Sequence, residues 1–134
     1  MNLLTLPIAA PQPMSASGVL KLNAAPRNVV AQANFLYGLA GTNVAAYLQT
    51  SIDGGATWID IAQWTFAATS GRMVYNLNAQ TPLVAAHIAT DGTLAANTAV
   101  DGILGSMFRV KSVSTGTYTG GTTLAVDIET DQVA

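Results

Sequence analysis

From Val29 the side chains alternate along the chain. Val29, Ala31, Ala33, Phe35 and Tyr37 fall on one side, and Val30, Gln32, Asn34 and Leu36 on the other. A period of two is that of an extended strand with one face buried. Leu20 and Leu22 alternate with Val19 and Lys21, and Val44, Ala46 and Leu48 with Ala45, Tyr47 and Gln49. Ile59 and Ile61 stand against Trp58, Asp60 and Trp64. GRMVYNLN, MFRVKSVS and TTLAVDIE continue the pattern, the last with Leu124, Val126 and Ile128 inward and Asp127 and Glu129 in water. No window of about 11 residues or more carries a helical period. About seven short strands separated by Gly, Asn, Asp and Thr clusters predict an all-β chain, an antiparallel β-sandwich that a jelly roll would also satisfy.

At 134 residues the chain is long enough for one two-layer core but too short for a propeller of several four-stranded blades. Half of the residues are hydrophobic and only 9% are charged, against roughly 25% in ordinary domains. Such a surface is built from Thr, Ser, Asn, Gln and Ala, or is covered by neighbours. Five basic residues and a net charge of −2 form no phosphate-tracking stripe, which argues against nucleic acid as a partner. The absence of cysteine removes disulfides and thiolate metal sites. No segment approaches the roughly 18 apolar residues of a membrane helix, so no membrane partner is expected.

Residues 1–16 read as an extended N-terminal arm. Pro7, Pro11 and Pro13 break any helix there, and Leu3, Leu4, Leu6 and Ile8 have no local surface on which to be buried. On this reading the sandwich occupies residues 17–134, and the arm's apolar side chains lie on a neighbouring subunit. A second irregular segment, residues 81–105, has no strand pattern. It contains an echo, ATDGTL at 89–94 and AVDGIL at 99–104, with Asp-Gly turn chemistry in both copies. A loop this long in a small domain usually carries contacts.

The hairpin around residues 44–66 turns through SIDGGATW, which fits S-x-D-x-G-x-T-W at Ser51, Asp53, Gly55, Thr57 and Trp58. The stretch resembles the Asp-box, a turn repeated in sialidase-like propellers, where it lies away from the catalytic centre. That resemblance covers eight residues and implies a structural turn. Asp accepts bonds from loop amides, Gly supplies left-handed backbone, the hydroxyls tie the ends and Trp covers the turn.

Catalytic constellations are scarce. The single histidine, His87, sits among Ala85, Ala86, Ile88 and Ala89 and reads as a half-buried or interface side chain more readily than as a base. No nucleophile elbow, phosphate loop or HExxH zinc motif is present. Carboxylates for glycoside hydrolysis would come from Asp53, Asp60, Asp91, Asp101, Asp127, Glu129 and Asp131, of which Asp53, Asp91 and Asp101 precede turn glycines. The acidic tail DIETDQVA lacks the spacing of a calcium loop. Arg109 and Lys111 share a strand face, as solvated charges or a weak anion contact. Tyr118, between glycines in GTYTGGTT, is either a partner anchor or a ring folded over its own turn. No cofactor is expected.

Two stretches, LQTSIDGGATWIDIAQWTF with the residues from Val44 before it, and NTAVDGILGSMFRVKSVSTGTYTGGTTLAVDI, together resemble small β-sandwich virion proteins of tailed bacteriophages and prophages. The resemblance spans roughly residues 28–128 and implies a virion setting, with synthesis in the host cytoplasm, but assigns no residue a role. Low charge limits repulsion between crowded copies, and an apolar arm suits a subunit that reaches over its neighbour. The expectation is a non-enzymatic structural protein, a head decoration or cement protein. It would form a homo-oligomer and stabilise the capsid lattice by contacts of Leu3, Leu4, Leu6, Ile8, His87 and Tyr118 with the major capsid protein or other virion subunits. The alternatives are a neck, tail or fibre-associated protein, and a carbohydrate-binding module presenting Trp58, Trp64 and Tyr118.

Overall fold

The computed structural model describes residues 1–134. Eleven strands run β1 (Asn2–Pro7), β2 (Gln12–Ala16), β3 (Leu20–Lys21), β4 (Asn28–Leu36), β5 (Leu39–Ala40), β6 (Asn43–Ser51), β7 (Ile59–Phe66), β8 (Gly71–Asn78), β9 (Met107–Thr115), β10 (Tyr118–Thr119) and β11 (Thr123–Thr130). One sheet has the order β1-β11-β4-β8. The facing sheet has the order β2-β9-β6-β7, with β3 also on β9, and β5 and β10 form a small separate pair. All pairings are antiparallel. The chain is an all-β sandwich.

The order of pairing has a simple origin. Leaving aside the two-residue strands, the first principal strand pairs with the last, the second with the seventh, the third with the sixth, and the fourth with the fifth. That is one long hairpin rolled over on itself, the jelly roll.

The rolled hairpin overturns the expectation of a free arm. Residues 1–16 are not outside the sandwich: β1 is hydrogen-bonded to β11 and β2 to β9, one on each sheet. Both are edge strands, where proline is tolerated because one side of the strand lacks a partner. Pro7 ends β1, and Pro13 sits in β2 within an irregular register. Leu3 and Ile8 are buried in the chain's own core, and Leu4 and Leu6 pack half-buried against it.

The alternating faces of β4, β6, β9 and β11 meet between the sheets. Phe35, Leu48, Phe108, Val110, Leu124, Val126 and Ile128 are fully buried there. Phe35 stacks on Phe66 with ring centroids 5.0 Å apart and meets Tyr118 edge-on at 5.9 Å, both favourable aromatic geometries. Tyr118 does not project from its hairpin. Its ring lies over Gly41, where a Cβ would collide with it, and its hydroxyl donates to the Ala67 carbonyl at 2.9 Å.

Strand β7 departs from simple alternation. Leu48 pairs with Ala62 but Gln49 with Asp60, so Ile61 is an extra residue, a β-bulge. The bulge reverses the phase. Ala62, Trp64 and Phe66 follow their partners Leu48, Ala46 and Val44 into the core, while Asp60 and Gln63 share the opposite face with Gln49 and Tyr47. The expectation that Asp60 and Trp64 lie on one face therefore fails.

Candidate functional site

Asp60 and Gln63, turned outward by the bulge, are nevertheless buried, because the segment after β8 folds back over them. The backbone of this excursion runs along the free edge of β7. Asp60 N donates to Thr90 O at 2.8 Å, Gln63 N to Thr98 O at 2.9 Å, and Val100 N to Ile61 O at 2.8 Å, with a bridge between Ala62 and Ala99. An open sheet edge is thereby covered by the chain itself.

The side chains complete the attachment. The Asp60 carboxylate accepts from the amides of Gly92 (2.7 Å), Thr93 (3.0 Å) and Leu94 (3.2 Å), from Thr90 Oγ1 (2.9 Å) and from Gln49 Nε2 (2.8 Å). Gly92 has φ of 85°, the left-handed conformation that lets successive amides converge on one carboxylate. Gln63 Oε1 accepts from Asn97 N at 2.7 Å, and Asn97 Oδ1 accepts from Thr65 N at 3.0 Å.

The two Asp-Gly echoes are two turns with different attachments. Asp91 accepts from Lys111 Nζ at 2.7 Å and from Gln49 Nε2 at 2.6 Å, with Arg109 3.9 Å away. The Lys111 bond is the main cause holding its carboxyl below the usual range. Asp101 accepts from Asn78 N at 2.6 Å and from Thr81 Oγ1 at 3.0 Å, and the Asn78 bond lowers its pKa most. The first echo ties the excursion to the outer sheet face, and the second ties it to the end of β8.

Between these anchors the tip, residues 81–89, stands in solvent. Val84 is 97% exposed and Ile88 86%, with Leu83 and His87 also exposed. Residues 79–90 contain no Asp, Glu, Lys or Arg. Leu83, Val84 and Ile88 are thus apolar side chains held in water on a loop fastened at both ends.

The Asp-box closes the β6–β7 hairpin next to this network. Asp53 accepts from Thr57 N and from Ser51 Oγ, both at 2.9 Å, and from the Thr57 hydroxyl, while Gly55 N donates to Ser51 Oγ at 2.9 Å. The Thr57 hydroxyl, then its amide and the Ser51 hydroxyl, hold the Asp53 pKa at about 2. Trp58 is 9% exposed, and the Arg109 guanidinium lies 4.3 Å from its ring centre, a cation–π contact. Arg109 Nε also donates to Gln49 Oε1 at 2.8 Å. Arg109 and Lys111 are thus engaged within the chain.

Of the six side chains expected to touch a partner, His87 alone is exposed. Leu3, Ile8 and Tyr118 are buried and Leu4 and Leu6 half-buried in the chain's own fold, a correction that follows from the pairing of β1 and the aromatic cluster around Tyr118. Trp58, Trp64 and Tyr118, which would have formed a sugar platform, are likewise buried. No three His, Asp or Glu side chains converge as metal ligands. Sequence reasoning missed the organising residues Asp60, Gln49 and Gln63. The available signal was an Asp inside a strand, where Asp is depleted.

No family model matches the chain, and no curated protein or solved structure is significantly similar to it.

Proposed function

We propose that this chain is a non-enzymatic structural subunit of a tailed-phage virion, a head decoration or cement protein. It docks on the major capsid protein or another virion subunit through the tip of the 81–105 excursion. The observation that carries the docking half of this reading is the tip itself, uncharged and apolar, with Val84 and Ile88 almost fully in water and its limbs fastened to β7 and β8. A preformed loop loses little conformational entropy on binding. The virion setting rests on the sequence resemblance. Jelly rolls occur in viral capsid proteins, but also in lectins and cupins, so the fold alone does not select among them.

Particles stripped of the protein, or assembled without it, receive either the full-length chain or the Val84→Asp, Ile88→Asp double variant. The reading requires the full-length chain to decorate heads and raise their heat resistance, and the variant to fold but not bind. Equal decoration by the two forms would overturn the docking surface. Binding of the full-length chain to tails rather than heads would move the subunit to a neck, tail or fibre position.

A further inference from the structure

The sandwich has four principal sheet edges, and three are blunted. Strand β1 carries a register irregularity and ends in Pro7. Strand β2 carries Pro13 and a second irregularity. The excursion covers β7. Proline, bulges and covering loops are the devices by which proteins prevent edge-to-edge pairing. The fourth edge, β8, has none of them. It pairs with β4 in unbroken register from Asn28↔Asn78 to Phe35↔Gly71.

The direction of its backbone groups follows from the ladder. Ala79 N donates to Arg27 O across the β4 side, so the odd-numbered residues of β8 bond to β4 and the even-numbered ones face away. Asn78 N, on the outer side, is taken by Asp101. Arg72, Val74 and Asn76 are left with their N–H and C=O groups directed at solvent. Val74 is 54% exposed, and even the inward-facing Met73 and Tyr75 are only half-buried.

We infer that β8 is a homodimer interface, in which two copies of this chain join their β1-β11-β4-β8 sheets edge to edge about a two-fold axis at Val74. The sequence of the edge fits its own antiparallel copy. With Val74 opposite Val74 of the second copy, Arg72 falls opposite Asn76 and Asn76 opposite Arg72, because each pair of numbers sums to 148 as 74 + 74 does. The three outward N–H groups of each copy then meet the three outward C=O groups of the other. The central pair is apolar, and Arg72, the only charged residue in β8, does not meet itself. Like charges directly opposite would oppose the pairing. A self-complementary patch of this kind is what a closed two-fold dimer uses. The inference stands independently of the virion reading and of the 81–89 tip.

Sedimentation and light scattering of the full chain over a wide concentration range test it. The wild type is a dimer, and amide exchange at Arg72, Val74 and Asn76 is slow and quickens on dilution. Val74→Pro removes an N–H that bonds to nothing within the chain, so the variant keeps its β spectrum and is monomeric. Val74→Lys and Val74→Glu, each monomeric alone through like-charge opposition, form a mixed dimer when combined. A wild type that stays monomeric at every concentration overturns the inference. So does a dimer that survives Val74→Pro and Val74→Lys unchanged, or fast exchange of the three amides within a wild-type dimer.

Discussion

Asp60→Ala is the substitution from which the fold of the excursion has most to lose. The carboxylate is fully buried and accepts from three backbone amides and two side chains. Thr90 and Gln49 have freedom to find other partners, and Gln49 already has one in Asp91. The amides of Gly92, Thr93 and Leu94 are fixed by the turn. At about 1–3 kcal/mol for a fully buried donor left unpaired, three would give about 3–9 kcal/mol, an upper bound for these part-buried amides. The upper part of that range is not reached, since the limb can detach from β7 and let water reach its amides, which caps the loss at the free energy of local opening. The expected destabilisation is about 3–5 kcal/mol, the lower part of that range and a large share of the 5–15 kcal/mol typical of a domain. Thermal unfolding followed by circular dichroism should shift down by roughly 10–20 °C. Amide exchange should accelerate at Gly92, Thr93 and Leu94 well before it does in β4. Asp60→Asn, which keeps the shape and one acceptor oxygen, should lose less. An Asp60→Ala protein that melts within about 2 °C of the wild type, with the three amides still protected, would refute the carboxylate as the anchor.

Asp53, Asp91 and Asp101 all have pKa values below the ordinary 3.8 in the folded chain, Asp53 at about 2. Their contribution to stability is present above pH of about 4 and is lost as pH falls through the folded values, so the melting temperature should begin to drop below about pH 4. Burial raises the pKa of Tyr75 and Tyr118. Their contribution is present below pH of about 10 and is lost above it, so a second decline should appear in strongly alkaline solution. Tyr118→Phe removes the bond to Ala67 and should cost about 0.5–1.5 kcal/mol, whereas Tyr118→Ala, which empties a site packed on Phe35 and Gly41, should cost about 3–5 kcal/mol in denaturant titration. Deleting residues 1–16 takes an edge strand from each sheet and removes Leu3 and Ile8, each worth about 1.5–3 kcal/mol of burial, so circular dichroism should show loss of cooperative melting. Asp53→Ala should lower the melting temperature while the folded fraction docks as before, and the reverse outcome would make the hairpin a binding loop.

The strands read at 29–37, 44–49, 71–78, 107–114 and 122–129 were legible because each buries one face, and burial writes a period of two into the sequence. The first two strands were not. NLLTLP carries leucines at both odd and even positions around its irregular register, and Pro7, Pro11 and Pro13 read as marks of an extended arm although Pro7 and Pro13 lie in edge strands. The bulge at Ile61 was invisible for a similar reason. One inserted residue exchanges inside and outside, so a correct strand assignment placed Asp60 and Trp64 wrongly. The site suffered from the same two errors. Leu3, Ile8 and Tyr118 looked free because their partners lie more than a hundred residues away or across the sandwich, and Asp60 looked like a surface carboxylate because nothing local shows the loop that folds onto it. The excursion itself was visible, since its apolar residues follow neither a strand nor a helix period and its paired Asp-Gly turns break the chain twice.

Cryo-electron microscopy of particles with and without this chain checks the proposed decoration role. Sandwich-shaped density is expected on the outside of the head, absent when the chain is omitted, with residues 81–89 against the lattice. Density confined to the neck or tail, or a different face of the sandwich on the head, would contradict the proposal of a decoration protein held by its tip.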